Sequence, residues 1–179
     1  LAKIGECRSV ATVEKYLRYL EEAFLFFQIK QFSFKLKEQI AHNKKIYCID
    51  NGFIAAKAFQ LTPDVGRLYE NCVAIQLKKR ELRGEHHIYF WKDSQHNEVD
   101  FVVKRGLKTS QLIQVCYALD NHKTQEREIR ALLKASQQLH CDNLLIITRD
   151  EETEKNVEWF GIKRKIKYLP LWKWLLEKR

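Results

Sequence analysis

The sequence contains no methionine at all, and it has only two prolines and six glycines. Because position 1 is a leucine, we expect the chain to be a piece of a longer protein whose earlier residues lie before Leu1. No apolar run approaches the ~18 to 20 residues that a membrane-spanning helix needs. Residues 1–5 also lack the character of a signal peptide. We therefore expect a cytoplasmic protein with no membrane partner.

Cysteine is scarce and irregularly spaced. The five cysteines are odd in number, and they are Cys7, Cys48, Cys72, Cys116 and Cys141. Zinc sites and disulfide frameworks both need closer pairs of cysteines. The spacing therefore predicts reduced thiols in the core. The chain also lacks a glycine-rich P-loop, so we expect it to bind no ATP of its own.

The charge is strongly basic for a chain of ordinary globular composition. At 179 residues, with 45% apolar and 31% charged residues, the chain is long enough for one sizeable core or two small ones. Its formal net charge of +9 is consistent with a DNA partner, although an exposed helix end or strand would carry the same charges. Two local groups of basic residues are candidates for contact with DNA: Lys78, Lys79, Arg80 and Arg83, and Lys163, Arg164, Lys165 and Lys167. Of these we predict DNA contacts for Lys78 and Lys79.

Three short strands form the centre of the predicted fold. They cover residues 88–91, 98–104 and 112–117, the last being reached through residues 105–110. Because strand side chains alternate between faces, Glu98 and Asp100 share one face, and Gln114 and Cys116 share one face of the next strand. Carboxylate and amide oxygens held on neighbouring strands suit a hard cation such as Mg²⁺ or Mn²⁺.

The first 60 residues have the order of a winged-helix segment. Apolar residues recur at helical spacing from Val10, which predicts a helix capped by Ser9 and ending near residue 22 or 23. Strands over 24–34 and 45–49 would form the wing, and the first helix would lie upstream of Leu1. The side chains that would face DNA are Arg8, Thr12, Lys15 and Arg18. Alternatively, the helix and hairpin only bridge domains or contact a partner protein.

The remaining segments complete an α/β fold. We predict helices over 53–59, 66–77, 121–139 and 171–176, a buried strand over 144–148 and one or two strands over 157–168. An acidic surface turn is expected over 149–156. The buried side of the helix over 66–77 is predicted to consist of Leu68, Cys72 and Ile75, with Leu77 and Leu82 as further candidates. The histidines His86, His87 and His96 are predicted to be solvated loop residues, and Trp172 and Trp174 to be packed.

The pattern Glu-Val-Asp-Phe-Val followed by Ile-Gln-Val-X-Tyr resembles the PD-(D/E)XK nuclease superfamily. The resemblance implies a restriction-endonuclease-like mixed sheet flanked by helices over 61–179. It also implies that Asp100 and Gln114 hold Mg²⁺ or Mn²⁺ together with Glu70 or Glu98. Cys116 stands where active members have a lysine, and a thiol with a reference pKa of about 8.5 is a poor substitute. The expectation is a degenerate site that binds DNA or protein; the alternative is an active nuclease that hydrolyses phosphodiesters, with Lys104 as a replacement lysine.

A narrower resemblance covers nearly the whole chain. The motifs Lys-X-Tyr-X-X-Asp-X-Gly (residues 45–52) and Gly-X-Leu-X-Glu-Asn (residues 66–71) lie on either side of the helix predicted over 53–59. Together with the strand motifs around Asp100, they are similar to the C-terminal tail of a prokaryotic AAA+-type ATPase family, a domain of unknown function. The resemblance implies that the ATP-binding part lies before Leu1 and that this upstream domain is a partner. The resemblance identifies neither a protein partner nor the oligomeric state.

Overall fold

The structure is a computed structural model that describes residues 9–35, 37, 39, 43–57, 64–118 and 122–177. The described elements, in chain order, are α1 (Val10–Glu22), β1 (Phe26–Gln31), β2 (Lys44–Cys48), α2 (Asn51–Lys57), α3 (Val65–Leu82), β3 (His87–Lys92), β4 (Glu98–Arg105), β5 (Lys108–Val115), α4 (His122–Leu139), β6 (Leu144–Thr148), β7 (Thr153–Trp159), β8 (Ile162–Pro170) and α5 (Leu171–Leu176).

All described strands belong to one mixed sheet of eight strands. Their order across the sheet is β2-β1-β3-β4-β5-β6-β8-β7. The hairpins β1/β2, β3/β4, β4/β5 and β7/β8 are antiparallel, while β1/β3, β5/β6 and β6/β8 are parallel. The parallel pairing of β5 with β6 confirms the predicted strand–helix–strand unit, in which α4 makes the connection. The coarse α/β prediction is therefore confirmed.

The N-terminal hairpin extends the same sheet that carries the central strands. Ser9 caps α1 by accepting a hydrogen bond from the backbone N–H of Thr12, as predicted, and α1 ends at Glu22. Strands β1 and β2 then pair over five residue positions, and β1 joins β3 through Lys30 opposite Tyr89 and Gln31 opposite Phe90. The winged-helix interpretation of this segment stays a prediction.

Helices cover both faces of the sheet and divide the core in two. On one face, α3 and α5 bury Val73, Ala74, Leu77 and Trp174 against residues of β1–β6 and β8. On the other face, α4 buries a run of residues that includes Leu132 and Leu133. Strand β6 contributes to both cores, and all five of its residues are buried. This explains its continuous run of Leu and Ile, because a strand buried on both faces has no polar alternation.

The buried face of α3 agrees only in part with the one predicted, since Leu77 is buried as expected. Its buried residues are Asn71, Val73, Ala74, Leu77 and Arg80. The predicted Leu68, Cys72 and Ile75 are only half-buried, and Leu82 is 74% exposed. The apolar residues of this helix are spread around its circumference, so hydrophobic spacing alone does not define the side that meets the sheet.

Two further predictions need correction, whereas the predicted reduced thiols are confirmed for the described cysteines. The predicted acidic turn over 149–156 is too long, because β7 already begins at Thr153. Trp174 is buried as expected, whereas Trp172 is 60% exposed. Cys48, Cys116 and Cys141 are buried and Cys72 half-buried, all as free thiols; Cys7 and Arg8 lie outside the described residues.

In the described part of the chain, no helix combines the length and apolar character needed to cross a membrane.

The prediction that His86 is a solvated loop residue is wrong. Its side chain is only 6% exposed, and its Nε2 lies 3.1 Å from the carbonyl oxygen of Leu77, to which it donates in the neutral form. Burial lowers the pKa of His86 below its usual value. His87 and His96 are exposed, as predicted.

We expect His86 to make the fold less stable under mildly acidic conditions. Its pKa is lower in the folded chain than in the unfolded chain, so the unfolded state takes up more protons and the stabilising contribution is lost as the pH falls below about 6.5. Urea unfolding of the chain and of His86→Gln, which keeps a donor for Leu77, should be measured from pH 5 to pH 8. The advantage of the starting chain over His86→Gln should increase with pH, and an advantage that falls with pH would contradict the assignment.

Candidate functional site

An ammonium group lies among three carboxylates on one side of the sheet. The Nζ atom of Lys45, on β2, is 2.7 Å from Oε1 of Glu98, 2.9 Å from Oδ1 of Asp100 and 3.1 Å from Oε1 of Glu70. The hydroxyl of Tyr47 donates a 2.6 Å hydrogen bond to the same Glu70 oxygen. We call these five residues the Lys45 centre. They come from β2, α3 and β4, so the centre joins the N-terminal hairpin to the central part of the chain.

A β-bulge in β4 orients Asp100 toward this centre. The register between β3 and β4 shifts between the pairs Tyr89–Val102 and Trp91–Val99. As a result, Val99 and Phe101 belong to opposite cores, although they are two residues apart. An extra residue in one strand re-aims the side chains next to it. The bulge therefore allows Asp100 to face Lys45 while Phe101 packs in the adjacent core.

The electrostatics of the centre favour a protonated lysine. Burial on its own would lower the pKa of Lys45, but the charges of Asp100 and Glu70 and the hydrogen bond with Glu98 outweigh burial and raise it. Burial raises the pKa of Asp100 to about 7, against the opposing pull of Lys45. For Glu98, the hydrogen bonds and charges of Lys45 and Lys92 overcome the effect of burial and lower the pKa. Burial and the neighbouring Glu70 raise the pKa of Tyr47, which stays a neutral donor.

Gln114 lies next to Asp100, but its amide group is already engaged. Its Oε1 accepts a 3.1 Å hydrogen bond from the backbone N–H of Asp100, and its Nε2 donates to Glu128 of α4 at 2.5 Å. Arg127 forms a 2.6 Å ion pair with the same Glu128. An open cavity of about 350 Å³ borders these groups and the carboxylates of Glu70 and Asp100.

Cys116 does not take the place of a catalytic lysine. Its side chain is buried in the core under α4, and its thiol lies 3.3 Å from the carbonyl oxygen of Ala118. Burial and the nearby carboxylates of Glu128 and Asp100 raise the pKa of the thiol to about 11. The group is therefore a neutral thiol near pH 7, which does not carry the charge of a lysine.

The arrangement of the centre does not fit a divalent cation. Mg²⁺ and Mn²⁺ need the carboxylate oxygens that Lys45 occupies, and the amide oxygen of Gln114 is bound to the backbone of Asp100. Within the described ranges, no group of three or more His, Cys, Asp or Glu side chains is placed to hold a metal ion. An ion at this position would first have to displace Lys45.

The structure brings several of the predicted site residues together. Asp100, Glu98 and Glu70 meet at Lys45, and Gln114 lies beside them. Lys104, suggested as a replacement lysine, is elsewhere: its Nζ lies 4.9 Å from the ring centroid of Phe32, which belongs to the core under α4. The bulge in β4 lies between Asp100 and Lys104 and breaks the alternation on which that suggestion depended.

The predicted DNA-contacting residues of the N-terminal segment lie on α1. Thr12 shares a 2.9 Å hydrogen bond with the hydroxyl of Ser9, Lys15 lies over the ring of Tyr19, and Arg18 forms an exposed ion pair with Glu22. These contacts are local and lie at the surface. They leave the proposed contact with DNA as a prediction, and Arg8 lies outside the described residues.

The other two predicted DNA contacts lie on α3. Lys79 is exposed, whereas Lys78 forms a 2.7 Å ion pair with Glu81 and lies over the ring of Phe27. Lys79 is therefore the more accessible of the two cations.

Sequence reasoning missed Lys45 and Tyr47. Both occur in the Lys-X-Tyr motif, and their spacing of two puts them on the same face of β2. The spacing alone would have placed the two side chains together. Local spacing does not show that β2 joins the sheet three strands away from β4, the strand that carries Asp100.

Two sequence families match consecutive parts of the chain. Residues 65–174 match a sequence family described as "Domain of unknown function (DUF4143)", and residues 1–64 match one described as "Domain of unknown function (DUF8612)". An uncharacterised protein of Methanocaldococcus jannaschii is 35% identical over 166 residues, which is 92% of this chain and 36% of the relative. An uncharacterised protein of Haemophilus influenzae is 33% identical over 96 residues, which is 53% of this chain and 22% of the relative. The chain therefore spans about a third or less of these prokaryotic proteins.

Proposed function

This chain belongs to the DUF4143 family of domains of unknown function, and we propose that it is a non-catalytic, DNA-binding module of a larger AAA+-type ATPase. The observation that carries the proposal is the position of Lys45 among the carboxylates of Glu70, Glu98 and Asp100. In that position a fixed ammonium occupies the carboxylate oxygens that a nuclease would use to bind metal ions.

The nuclease-like fold is part of this proposal. Strands β3–β6, with α3 on one face and α4 on the other, supply the strands and helices that the PD-(D/E)XK resemblance calls for. We propose that the chain retains this fold with a degenerate site, and that residues 1–60 form a winged-helix-like segment attached to it. The neutral Cys116 at the lysine position supports the loss of catalysis.

DNA is the proposed partner because of charge. The chain has 32 lysines and arginines against 23 aspartates and glutamates. Lys15, Arg18 and Lys79 are exposed on two helices, where they would be accessible to phosphates. The order of motifs along the chain and the much greater length of the relatives support attachment to an upstream ATPase, which would be a second partner.

A metal-dependent nuclease is the second candidate. It is favoured by the same lysine, because Lys45 brings to the carboxylates the ammonium group that Cys116 does not supply. In that case Lys45 would move off Asp100 when a metal ion and DNA bind.

We expect the chain to bind DNA without cutting it. Supercoiled plasmid and linear DNA should stay intact with Mg²⁺ or Mn²⁺, while the chain and Asp100→Asn bind DNA equally well. Affinity should fall on the order of 10-fold or more between about 50 mM and about 200 mM salt, because binding releases counterions from the phosphates. The measurements are agarose-gel cleavage and fluorescence anisotropy.

Two other results would change the assignment. Cleavage by the starting chain that disappears in Asp100→Asn would establish the nuclease. The absence of DNA binding even at low salt would exclude the proposed module and leave a protein-interaction domain. Circular dichroism of Asp100→Asn is the control that the variant is folded.

A further inference from the structure

A cleft with aromatic walls lies on the side of the sheet opposite to the α3 core, between the end of β1 and the β3–β4 turn. It has a volume of about 480 Å³, and we call it the aromatic cleft. Its walls include Phe32, Phe34, Lys35, Trp91, Lys92 and Gln138. The chain leaves β1 at Gln31, and the alternation after it buries Phe32 while Phe34 stays 72% exposed.

Part of the cleft is a rigid aromatic surface. The rings of Phe32 and Phe34 meet edge to face with centroids 5.1 Å apart, and Phe32 meets Tyr89 in the same way at 5.8 Å. The indole N–H of Trp91 donates a 3.0 Å hydrogen bond to Oε1 of Gln138. Phe32 and Trp91 are thus fixed in the core, and Phe34 presents an exposed ring beside them.

The charges around the aromatic cleft are favourable for an anion. Lys35 and Lys92 line it, and Lys104 lies over the ring of Phe32. Asp93 is the one carboxylate among the described lining residues, and it accepts hydrogen bonds from Asn97 and the backbone N–H of Gln95. Those hydrogen bonds hold its charge within the turn.

Glu98 links Lys92, at the border of the aromatic cleft, to the Lys45 centre, which lies on the α3 side of the sheet. One oxygen of Glu98 is 3.0 Å from Nζ of Lys92, and the other is 2.7 Å from Nζ of Lys45. A single carboxylate therefore bridges the two lysines.

We infer that the aromatic cleft binds an unpaired base of single-stranded DNA, with the base stacked on Phe34 and the adjoining phosphates near Lys35 and Lys92. This inference rests on the proposed DNA-binding function and names its substrate class. Aromatic rings beside cations are the combination that single-strand binding uses, since every base offers a flat face and every phosphate a charge. A base within a duplex is already stacked and would not enter the cleft.

The test compares Phe34→Ala with Phe160→Ala. Phe160 is also exposed, at 87%, but lies at the tip of the β7–β8 hairpin, so its loss removes a similar ring from another surface. Affinity for a fluorescent 20-nucleotide oligo(dT) should be measured by anisotropy at low salt. We expect Phe34→Ala to weaken binding by roughly 5- to 100-fold. Phe160→Ala should have no effect, and Phe34→Trp should retain the affinity of the starting chain.

An oligonucleotide of abasic sites separates stacking from charge. It keeps the phosphates but offers no base, so the starting chain and Phe34→Ala should bind it with the same, weaker affinity. Lys35→Gln should weaken binding of both oligonucleotides.

The binding experiments distinguish a failure of this inference from a failure of the proposed function. Oligo(dT) binding that Phe34→Ala leaves unchanged, or binding of duplex DNA alone, would overturn the inference and leave the DNA-binding module standing. No binding of any DNA would overturn both.

Discussion

Lys45→Met is expected to reduce the free energy of unfolding by about 3 to 5 kcal/mol. The substitution keeps most of the side-chain volume but leaves the carboxylates of Asp100, Glu98 and Glu70 close together without their ammonium partner. Removing one partner of a partly buried ion cluster costs more than the cluster contributed, because the remaining charges stay desolvated. Urea unfolding at pH 7, followed by circular dichroism, measures the effect.

Lys44→Met is the matched control for this prediction. Lys44 is the preceding residue of β2, and it is exposed, so its replacement should change stability by less than about 0.5 kcal/mol. Adding Asp100→Asn to Lys45→Met should recover part of the loss, since it removes one of the uncompensated charges. An equal effect of the two lysine substitutions would show that the Lys45 centre does not stabilise the fold.

The loss caused by Lys45→Met should become smaller as the pH falls. Burial already raises the pKa of Asp100 to about 7, well above its value in an unfolded chain. A folded-state pKa that is raised favours folding below the unfolded value, and this contribution is lost as the pH rises through about 7. In Lys45→Met the pKa of Asp100 is expected to be higher still, because the ammonium that favours the charged carboxylate has been removed. The difference between the variant and the starting chain should therefore be smaller at pH 5 than at pH 8.

Asn71→Leu is expected to reduce the free energy of unfolding by about 3 kcal/mol. The side chain of Asn71 accepts a 2.8 Å hydrogen bond from the backbone N–H of Cys48 and donates a 2.9 Å hydrogen bond to its carbonyl oxygen. Its Nδ2 also lies 2.7 Å from Oδ1 of Asn51. One buried amide thus satisfies both backbone groups at the end of β2. Leucine satisfies neither, and each unsatisfied buried group costs roughly 1 to 3 kcal/mol.

Two measurements distinguish this role of Asn71 from simple packing. Urea unfolding should show a large loss for Asn71→Leu and almost none for Asn156→Leu, because Asn156 is an exposed residue of the edge strand β7. Hydrogen exchange should show loss of protection at the amide of Cys48, while the amides of β4 are less affected. Unchanged protection at Cys48 would contradict the assignment.

Most elements of the fold could be predicted from local patterns. Alternation located β3 and β4, the continuous Leu and Ile run located β6, and the Ser9 cap gave the start of α1. The burial of α3 and of His86 could not be predicted in the same way. Both depend on how the helix and the chain after it pack on the sheet, which neither hydrophobic spacing nor turn chemistry specifies.

In the candidate site, too, local patterns predict some residues, while the positions of others depend on how the strands pair. Glu98 and Asp100 were placed together because they are two residues apart on one strand, and Glu70 was reached through the resemblance. Lys45 is 55 residues from Asp100 along the chain, and only the order of strands in the sheet brings the two together. The bulge in β4 is also invisible to a rule of strict alternation, which puts Lys104 on the same face as Asp100.

The Lys45 centre links two sequence families that are defined separately. Lys45 and Tyr47 lie in the segment that matches one family, whereas Glu70, Glu98 and Asp100 lie in the segment that matches the other. A recombination event that replaced either segment alone would bring a lysine without its acids, or acids without their lysine. Selection should therefore keep the two segments together on one gene. Where a descendant has lost the lysine, we expect the carboxylates facing it to have been replaced as well.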